Sequence, residues 1–148
     1  MNHQKQSMRT ILFILLFISS GMLTANAQEK ETIELTIEVT VTKYHKGKIF
    51  LAIYNSKENF LKNVYKGSSS KVIDGKAFLK FTGIKKGTYA FSLFHDINGN
   101  EKLDKNFFGI PKEPYAFSNN QKGSFGPPKY KNAQVDFQEN KHLTVTIK

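Results

Sequence analysis

The segment Thr32–Tyr44, TIELTIEVTVTKY, alternates between apolar and polar side chains over most of its length. Successive side chains of a β-strand point to opposite faces, so a period of two predicts a strand with one buried face. The apolar positions are Ile33, Leu35, Ile37, Val39 and Val41. The remaining positions are mostly threonine and glutamate, which suit a face that meets water.

Similar short patterns follow along the chain and are separated by turn residues. The further predicted strands are Ile49–Asn55, Ser68–Asp74, Lys76–Ile84, Thr88–Asp96, Ala133–Gln138 and His142–Lys148. The turn at 45–48 and the pair Asp74-Gly75 predict hairpins. No long amphipathic helix is visible, so about seven short strands predict an all-β, antiparallel β-sandwich in one domain, residues 28–148.

The first 27 residues have the composition of a secretory signal peptide. Lys5 and Arg9 precede an apolar run, ILFILLFISSGML, and Ala25-Asn26-Ala27 offers small residues at a cleavage site. The alternative is a single membrane anchor, for which the run is short. The chain has no cysteine, which excludes disulfides and a lipid-modified cysteine. We therefore expect an exported protein, periplasmic or extracellular, that is not a lipoprotein and has no transmembrane anchor after cleavage.

The net charge of +10 raises the possibility of a nucleic-acid partner. No arginine follows Arg9, and arginine is the usual base-reading and bidentate phosphate-binding group. The lysines are scattered and no nucleic-acid-binding motif is present. A solvated lysine-rich surface is expected instead, with loose attraction to anionic polysaccharide or to a membrane surface left open.

Residues 96–130 show no strand pattern but are rich in aromatic residues, which predicts one long ordered loop. Its first part spaces oxygen ligands as a calcium loop does, and Glu101 stands where such loops carry glycine. The candidate calcium ligands are Asp96, Asn98, Asn100, the backbone carbonyl of Lys102, and Asp104. The alternative is a set of Asx turns without a metal ion.

No complete catalytic motif is present, so we predict a non-enzymatic protein. A small hydrolase around His95 is the weaker alternative, because neighbouring strand residues such as His95 and Asp96 point to opposite faces. Aromatic and amide groups on a rigid sandwich suit a glycan, peptide or protein of the envelope. The candidate binding residues are His95, Phe108, Tyr115, Asn119, Asn120 and Tyr130. The loop has four phenylalanines, Phe107, Phe108, Phe117 and Phe125, and most of them are expected to fill one end of the sandwich.

The stretch FHDINGNEKLDKNFFGIPKEPYAFSNN, residues 94–120, is followed by FGPP at 125–128. Together they closely resemble a family of small secreted bacterial proteins of unknown function. The resemblance implies a β-sandwich and export but no activity. Glu101 and Pro114 stand where that family usually has glycine. Residues 81–96, FTGIKKGTYAFSLFHD, resemble a step of transthyretin-like and collagen-adhesin-B-like sandwiches, which implies a prealbumin-like or immunoglobulin-like arrangement.

These observations predict an exported, non-enzymatic binding or structural module of the bacterial envelope. A structural module stabilised by calcium through residues 96–104 is the alternative. That segment is similar to the calcium loops in sandwich repeats of bacterial surface adhesins, apart from Glu101.

Overall fold

A computed structural model describes residues 31–121 and 126–148, and the predicted signal peptide lies outside them. The strands are β1 (Thr32–Val41), β2 (Lys48–Tyr54), β3 (Lys66–Lys71), β4 (Lys76–Lys85), β5 (Gly87–Asp96), β6 (Tyr115–Phe117), β7 (Val135–Phe137) and β8 (Lys141–Ile147). A 3₁₀ turn covers Ser118–Asn120, and a single α-helical turn, α1, covers Tyr130–Ala133. Among these described residues, no helix has the length and apolar character needed to cross a membrane.

The strands form two sheets that pack as a sandwich, as the alternating patterns predicted. The first sheet has the order β4-β1-β8, with β1 antiparallel to β4 and parallel to β8. The second sheet has the order β3-β2-β5, and the far edge of β5 is shared by β6 and β7. The prediction of a wholly antiparallel arrangement is therefore wrong at one pair, because β8 runs alongside β1 in the same direction.

The core lies between the two sheets and follows the period of two. The five apolar positions predicted for β1 are all at most 4% exposed. They pack with inward side chains of the second sheet, chiefly Ile49, Leu51, Ile53, Tyr89, Phe91 and Leu93. At about 25 cal/mol per Å² of apolar surface removed from water, this shared face supplies the main driving force for folding.

The hairpin predicted at 45–48 is wrong, whereas the two-residue hairpin turn predicted at Asp74-Gly75 is present but short. The chain passes from β1 in the first sheet to β2 in the second, so the turn at 45–48 connects layers. Asp74 and Gly75 both adopt positive φ, as a two-residue hairpin turn requires, yet only Ile73 and Lys76 form a bridge there. Beyond that bridge β3 pairs with β2 while β4 pairs with β1.

The outer face of the second sheet is covered at one end by a second apolar cluster. Its buried members are Tyr54, Phe60, Ala90, Phe117 and Ala133. Phe60 comes from the turns that follow β2. Phe117 comes from the region predicted as one long loop, which contains β6 and the 3₁₀ turn. Ala133 ends α1, at the position where the strand Ala133–Gln138 was predicted to begin. The rest of this outer face stays open and adjoins the segment 97–114.

Candidate functional site

An apolar cleft of about 760 Å³ lies on the outer face of the second sheet, and we call it the outer-face cleft. Phe50 and Phe94 line it, and their rings stack with centroids 5.2 Å apart and planes 10° from parallel. Leu61 and Val64, from the turns after β2, contribute to the lining, as do Leu103 and Pro111 from the segment 97–114. Gly126 and Pro127 also line it, so the cleft is shaped by the sheet together with three irregular segments.

Strand register explains why the sheet is hollow here. Gly67, Ala52 and Ser92 are register partners on β3, β2 and β5, so three small residues lie side by side across the sheet. The next row along the strands contains Phe50 and Phe94, which are also register partners. A row of small side chains beside a row of large rings leaves a trough whose floor is the backbone and whose edge is aromatic.

The cleft carries little charge. Among the described residues that line it, Lys105 is the only charged one. The hydroxyls of Tyr54 and Ser92 lie 3.2 Å apart and bond to each other, which reduces the polarity of that corner. Tyr115 also lines the cleft and is exposed. An apolar trough with one cation suits a ligand with an apolar body and a single anionic group.

The side chain of Glu113 links distant parts of the segment 97–114 through hydrogen bonds. Its side chain is buried, and its two carboxylate oxygens accept hydrogen bonds from the backbone N–H groups of Ile97 (3.0 Å) and Asp104 (3.1 Å). The N–H of His95 donates to the carbonyl of Pro114, which ties the returning chain to β5. These bonds fix the segment that supplies Leu103 and Lys105 to the cleft.

The predicted calcium ligands form a hydrogen-bonded turn. Asp96 is fully buried, and its carboxylate accepts the N–H groups of Gly99 (2.7 Å) and Glu101 (2.9 Å). The side-chain amides of Asn98 and Asn100 donate to the two oxygens of Asp104, at 2.6 and 3.0 Å. Glu101, at the position where calcium loops carry glycine, has a φ of +60°.

This turn fits a hard cation in donor type and in part of its geometry. The oxygens of Asn98 and Asn100 each accept one backbone N–H, from Asn100 and Lys102, and each keeps a second lone pair. The amides of Asn98 and Asn100, however, already satisfy the carboxylate of Asp104. No group of three or more histidine, cysteine or acidic side chains suited to a metal ion occurs in residues 31–121 and 126–148.

His95 lies inside the sandwich and not on a surface. It is fully buried, and its Nε2 lies 2.6 Å from the carbonyl oxygen of Lys46, while Nδ1 has no hydrogen-bond partner among the described residues. Asp96 points to the opposite side of β5 and is occupied by backbone N–H groups. This geometry opposes the hydrolase alternative, because a buried imidazole without a carboxylate partner cannot reach a substrate from solvent.

The other predicted binding residues are brought together only in part, because Tyr115 and Asn120 both line a second depression of about 740 Å³. Tyr115 lines the outer-face cleft, whereas Phe108 projects into solvent. Asn119 and Asn120 both have positive φ and lie by smaller depressions, and the Asn119 amide donates to backbone carbonyls near α1. Tyr130 packs on Phe60 with ring centroids 5.6 Å apart, and burial raises the pKa of its hydroxyl.

The expectation that the loop's phenylalanines fill one end of the sandwich is right for Phe117 and wrong for Phe107 and Phe108. Phe117 is buried in the second cluster, whereas the other two are exposed. Phe125 lies outside the described residues. Sequence reasoning missed Phe50 and Phe94 as site residues. Their signal was the apolar character of both faces of β2 and β5, which indicates that something covers the outer face.

Comparison with known proteins gives one match. The sequence model of a family described as uncharacterized proteins conserved in bacteria (DUF2141) matches residues 37–146, nearly three quarters of the chain. The match includes all the residues that line the outer-face cleft. No curated protein and no solved structure matches the chain.

Proposed function

Since the chain belongs to this family of uncharacterized bacterial proteins, we propose a function from its geometry: an exported, non-enzymatic module of the bacterial envelope that binds an amphiphile. The ligand has an apolar chain, which lies in the outer-face cleft, and an anionic head beside Lys105. The observation that carries the proposal is the trough of small residues edged by the stacked rings of Phe50 and Phe94.

The lining favours a lipid-like ligand over the glycan or peptide that the sequence suggested. A sugar needs several convergent hydrogen-bond donors and acceptors, whereas the described lining is chiefly apolar. A peptide would present its own backbone N–H and C=O groups, which also require partners. An alkyl chain needs neither, and each methylene removed from water contributes about 0.8 kcal/mol. A carboxylate head would meet Lys105, the one cation among the described residues of the lining.

The binding test uses displacement of an apolar fluorescent probe, N-phenyl-1-naphthylamine. We expect the probe to brighten with the protein, and dodecanoate to displace it at lower concentration than the uncharged dodecanol does. Ala52→Leu should abolish the signal, because the added side chain fills the row of small residues. Thr144→Leu, on an exposed position of β8, is the matched control and should bind as the wild type does. Equal probe signals from both variants would refute the cleft as the site.

The proposal that the protein is exported is based on the signal-peptide pattern of residues 1–27. The proposal also includes the likeness of residues 81–96 to transthyretin-like and adhesin-like sandwiches. Fractionation of a bacterial host, followed by mass measurement, tests export directly. We expect the protein outside the cytoplasm with a new N-terminus after Ala27. An uncleaved chain in the cytoplasm would contradict the envelope location, but it would not contradict ligand binding in the outer-face cleft.

Calcium stabilisation is the second candidate, favoured by the turn that joins Asn98, Asn100 and Asp104. In it, the oxygens of Asp96, Asn98, Asn100 and Asp104 and the carbonyl of Lys102 would hold the ion and cross-link the segment. We then expect a higher Tm in calcium than in chelator, a smaller effect of magnesium, and loss of the difference in Asp104→Asn. Identical Tm values in calcium and chelator would exclude this candidate.

A further inference from the structure

The turn Asn106–Ile110 carries the two most exposed large apolar side chains of the described residues, Phe107 and Phe108, together with Ile110. Phe107 is 98% exposed, Phe108 is 82% exposed and Ile110 is 59% exposed. We call these three side chains the aromatic tip. A side chain at 98% exposure has almost no neighbours, so the tip projects from the domain. Such a group of apolar side chains in water indicates an interaction surface.

The exposure of the tip is fixed by hydrogen bonds. The side-chain oxygen of Asn106 accepts the N–H groups of Phe108 (2.9 Å) and Ile110 (3.0 Å). The backbone of Asn106 bonds to Ile110 and to Gly109, each at 2.9 Å. Gly109 has a φ of +77°, and a Cβ there would meet no atom within 4 Å. The turn is therefore a built structure that holds its rings away from the core.

The basic and acidic side chains of the segment 97–114 differ in their exposure and pairing. The lysines at 102, 105 and 112 are exposed. The acids of the same segment are turned inward or paired: Asp104 and Glu113 accept hydrogen bonds within the segment, and Glu101 forms an ion pair with Lys48 at 3.0 Å. The outward-facing charge of the segment that carries the aromatic tip is consequently positive, although the segment contains as many acids as lysines.

We propose that the aromatic tip inserts into the interface of an anionic lipid bilayer while the surrounding lysines contact the headgroups. Phenylalanine side chains beside basic residues suit the boundary between headgroups and acyl chains. A protein partner fits less well, because a stable protein interface buries about 800 Å² on each side, more than a small projecting turn offers. This inference does not depend on the outer-face cleft, since neither Phe107 nor Phe108 lines it.

The chain has no tryptophan, which permits a site-specific test with the full chain. Phe108→Trp places a single reporter on the tip, and Phe78→Trp places one on an exposed position of β4. We expect anionic vesicles of phosphatidylcholine and phosphatidylglycerol to shift the emission of the tip reporter to shorter wavelength and to leave the β4 reporter unchanged. Each tryptophan reports only on its own surroundings. Insertion of the apolar N-terminal stretch into the vesicle therefore cannot by itself shift the emission of the tip reporter and leave that of the β4 reporter unchanged.

The charge requirement is tested in the Phe108→Trp background. Replacing Lys102 and Lys112 by glutamine leaves Lys105, which lines the cleft, in place. We expect replacement of these two lysines to weaken the vesicle affinity by about 25-fold at low salt, because each lysine near an anionic surface contributes about fivefold. The matched control replaces Lys57 and Lys71, exposed elsewhere, and should retain affinity. If no vesicle composition changes the emission of the tip reporter, the proposal is overturned and a protein is left as the partner. Equal binding to neutral and anionic vesicles would also overturn it.

Discussion

Replacing Glu113 by alanine is expected to loosen the segment 97–114 and to destabilise the whole domain. The carboxylate of Glu113 is buried and accepts hydrogen bonds from two backbone N–H groups, those of Ile97 and Asp104. These donors lie at the beginning and the middle of the segment, so one side chain holds both parts in place. Removing it leaves two backbone donors without their partner.

The magnitude follows from the two bonds. A hydrogen bond to a charged group contributes about 1.5–3 kcal/mol, so losing two of them in Glu113→Ala should lower the free energy of unfolding by about 3–6 kcal/mol. Glu113→Gln keeps one acceptor oxygen but turns an NH₂ group toward the other donor, and we expect about half of that loss. Glu101→Gln is the control, because an ion pair with an acid 62% exposed contributes less than about 1 kcal/mol.

The assay is urea unfolding followed by circular dichroism, with the free energy extrapolated to water. The order of destabilisation should be Glu113→Ala, then Glu113→Gln, then Glu101→Gln. In the alanine variant the amphiphile proposed above should bind more weakly, because the segment supplies Leu103 and Lys105 to the cleft. If Glu113→Ala costs no more than Glu101→Gln, the carboxylate does not hold the segment and the reasoning fails.

Three further predictions address the frame around the site. Gly47→Ala should cost about 3 kcal/mol or more in urea unfolding, because the new Cβ would lie 2.2 Å from the carbonyl oxygen of Asp96 at a φ of +97°; a near-normal midpoint would contradict that geometry. Ser118→Ala should cost about 1–3 kcal/mol by the same measurement, because its buried hydroxyl accepts an N–H of β5 and donates to Ala133; a neutral result would mean that water replaces it. Burial, and then a neighbouring tyrosine, raises the pKa of Tyr89 to about 12. An unfolded tyrosine titrates near pH 10, so this group's contribution to stability is present below about pH 10 and is lost as the pH rises toward about 12. Unfolding midpoints at pH 9 to 11.5 should fall less steeply for Tyr89→Phe than for the wild type, and parallel curves would contradict the shift.

The sequence predicted the buried faces of the strands better than their partners. In β1 the alternation is strict because one face meets the core and the other meets water, and the five predicted apolar positions are buried. Pairing depends on distant residues, such as Val39 with Val145, which no local pattern encodes. The Asp74-Gly75 turn has the expected positive φ values but sends its flanking strands to different sheets.

The candidate site was less accessible to sequence reasoning for a similar reason. The trough exists because Gly67, Ala52 and Ser92 fall in register on three strands, and register is a tertiary property. The outward position of Phe107 depends on the side chain of Asn106, which holds a local turn against the apolar tendency of its neighbours. Tyr115 was predicted as a binding residue, and its place beside the cleft follows from the short pairing of β6 with β5.

The parallel pairing of β1 with β8 sets the order in which this domain can be completed. Leu35 pairs with Lys141, and Val41 pairs with Ile147. One edge of the first strand therefore has no neighbour until the last strand pairs with it. Contacts of such large sequence separation slow folding, because the loop must close before any stabilisation is gained. While the chain is being synthesised, β1 keeps one unpaired edge until β8 emerges. A chain whose first sheet closes only with β8 stays unfolded for longer, which would favour the export proposed above.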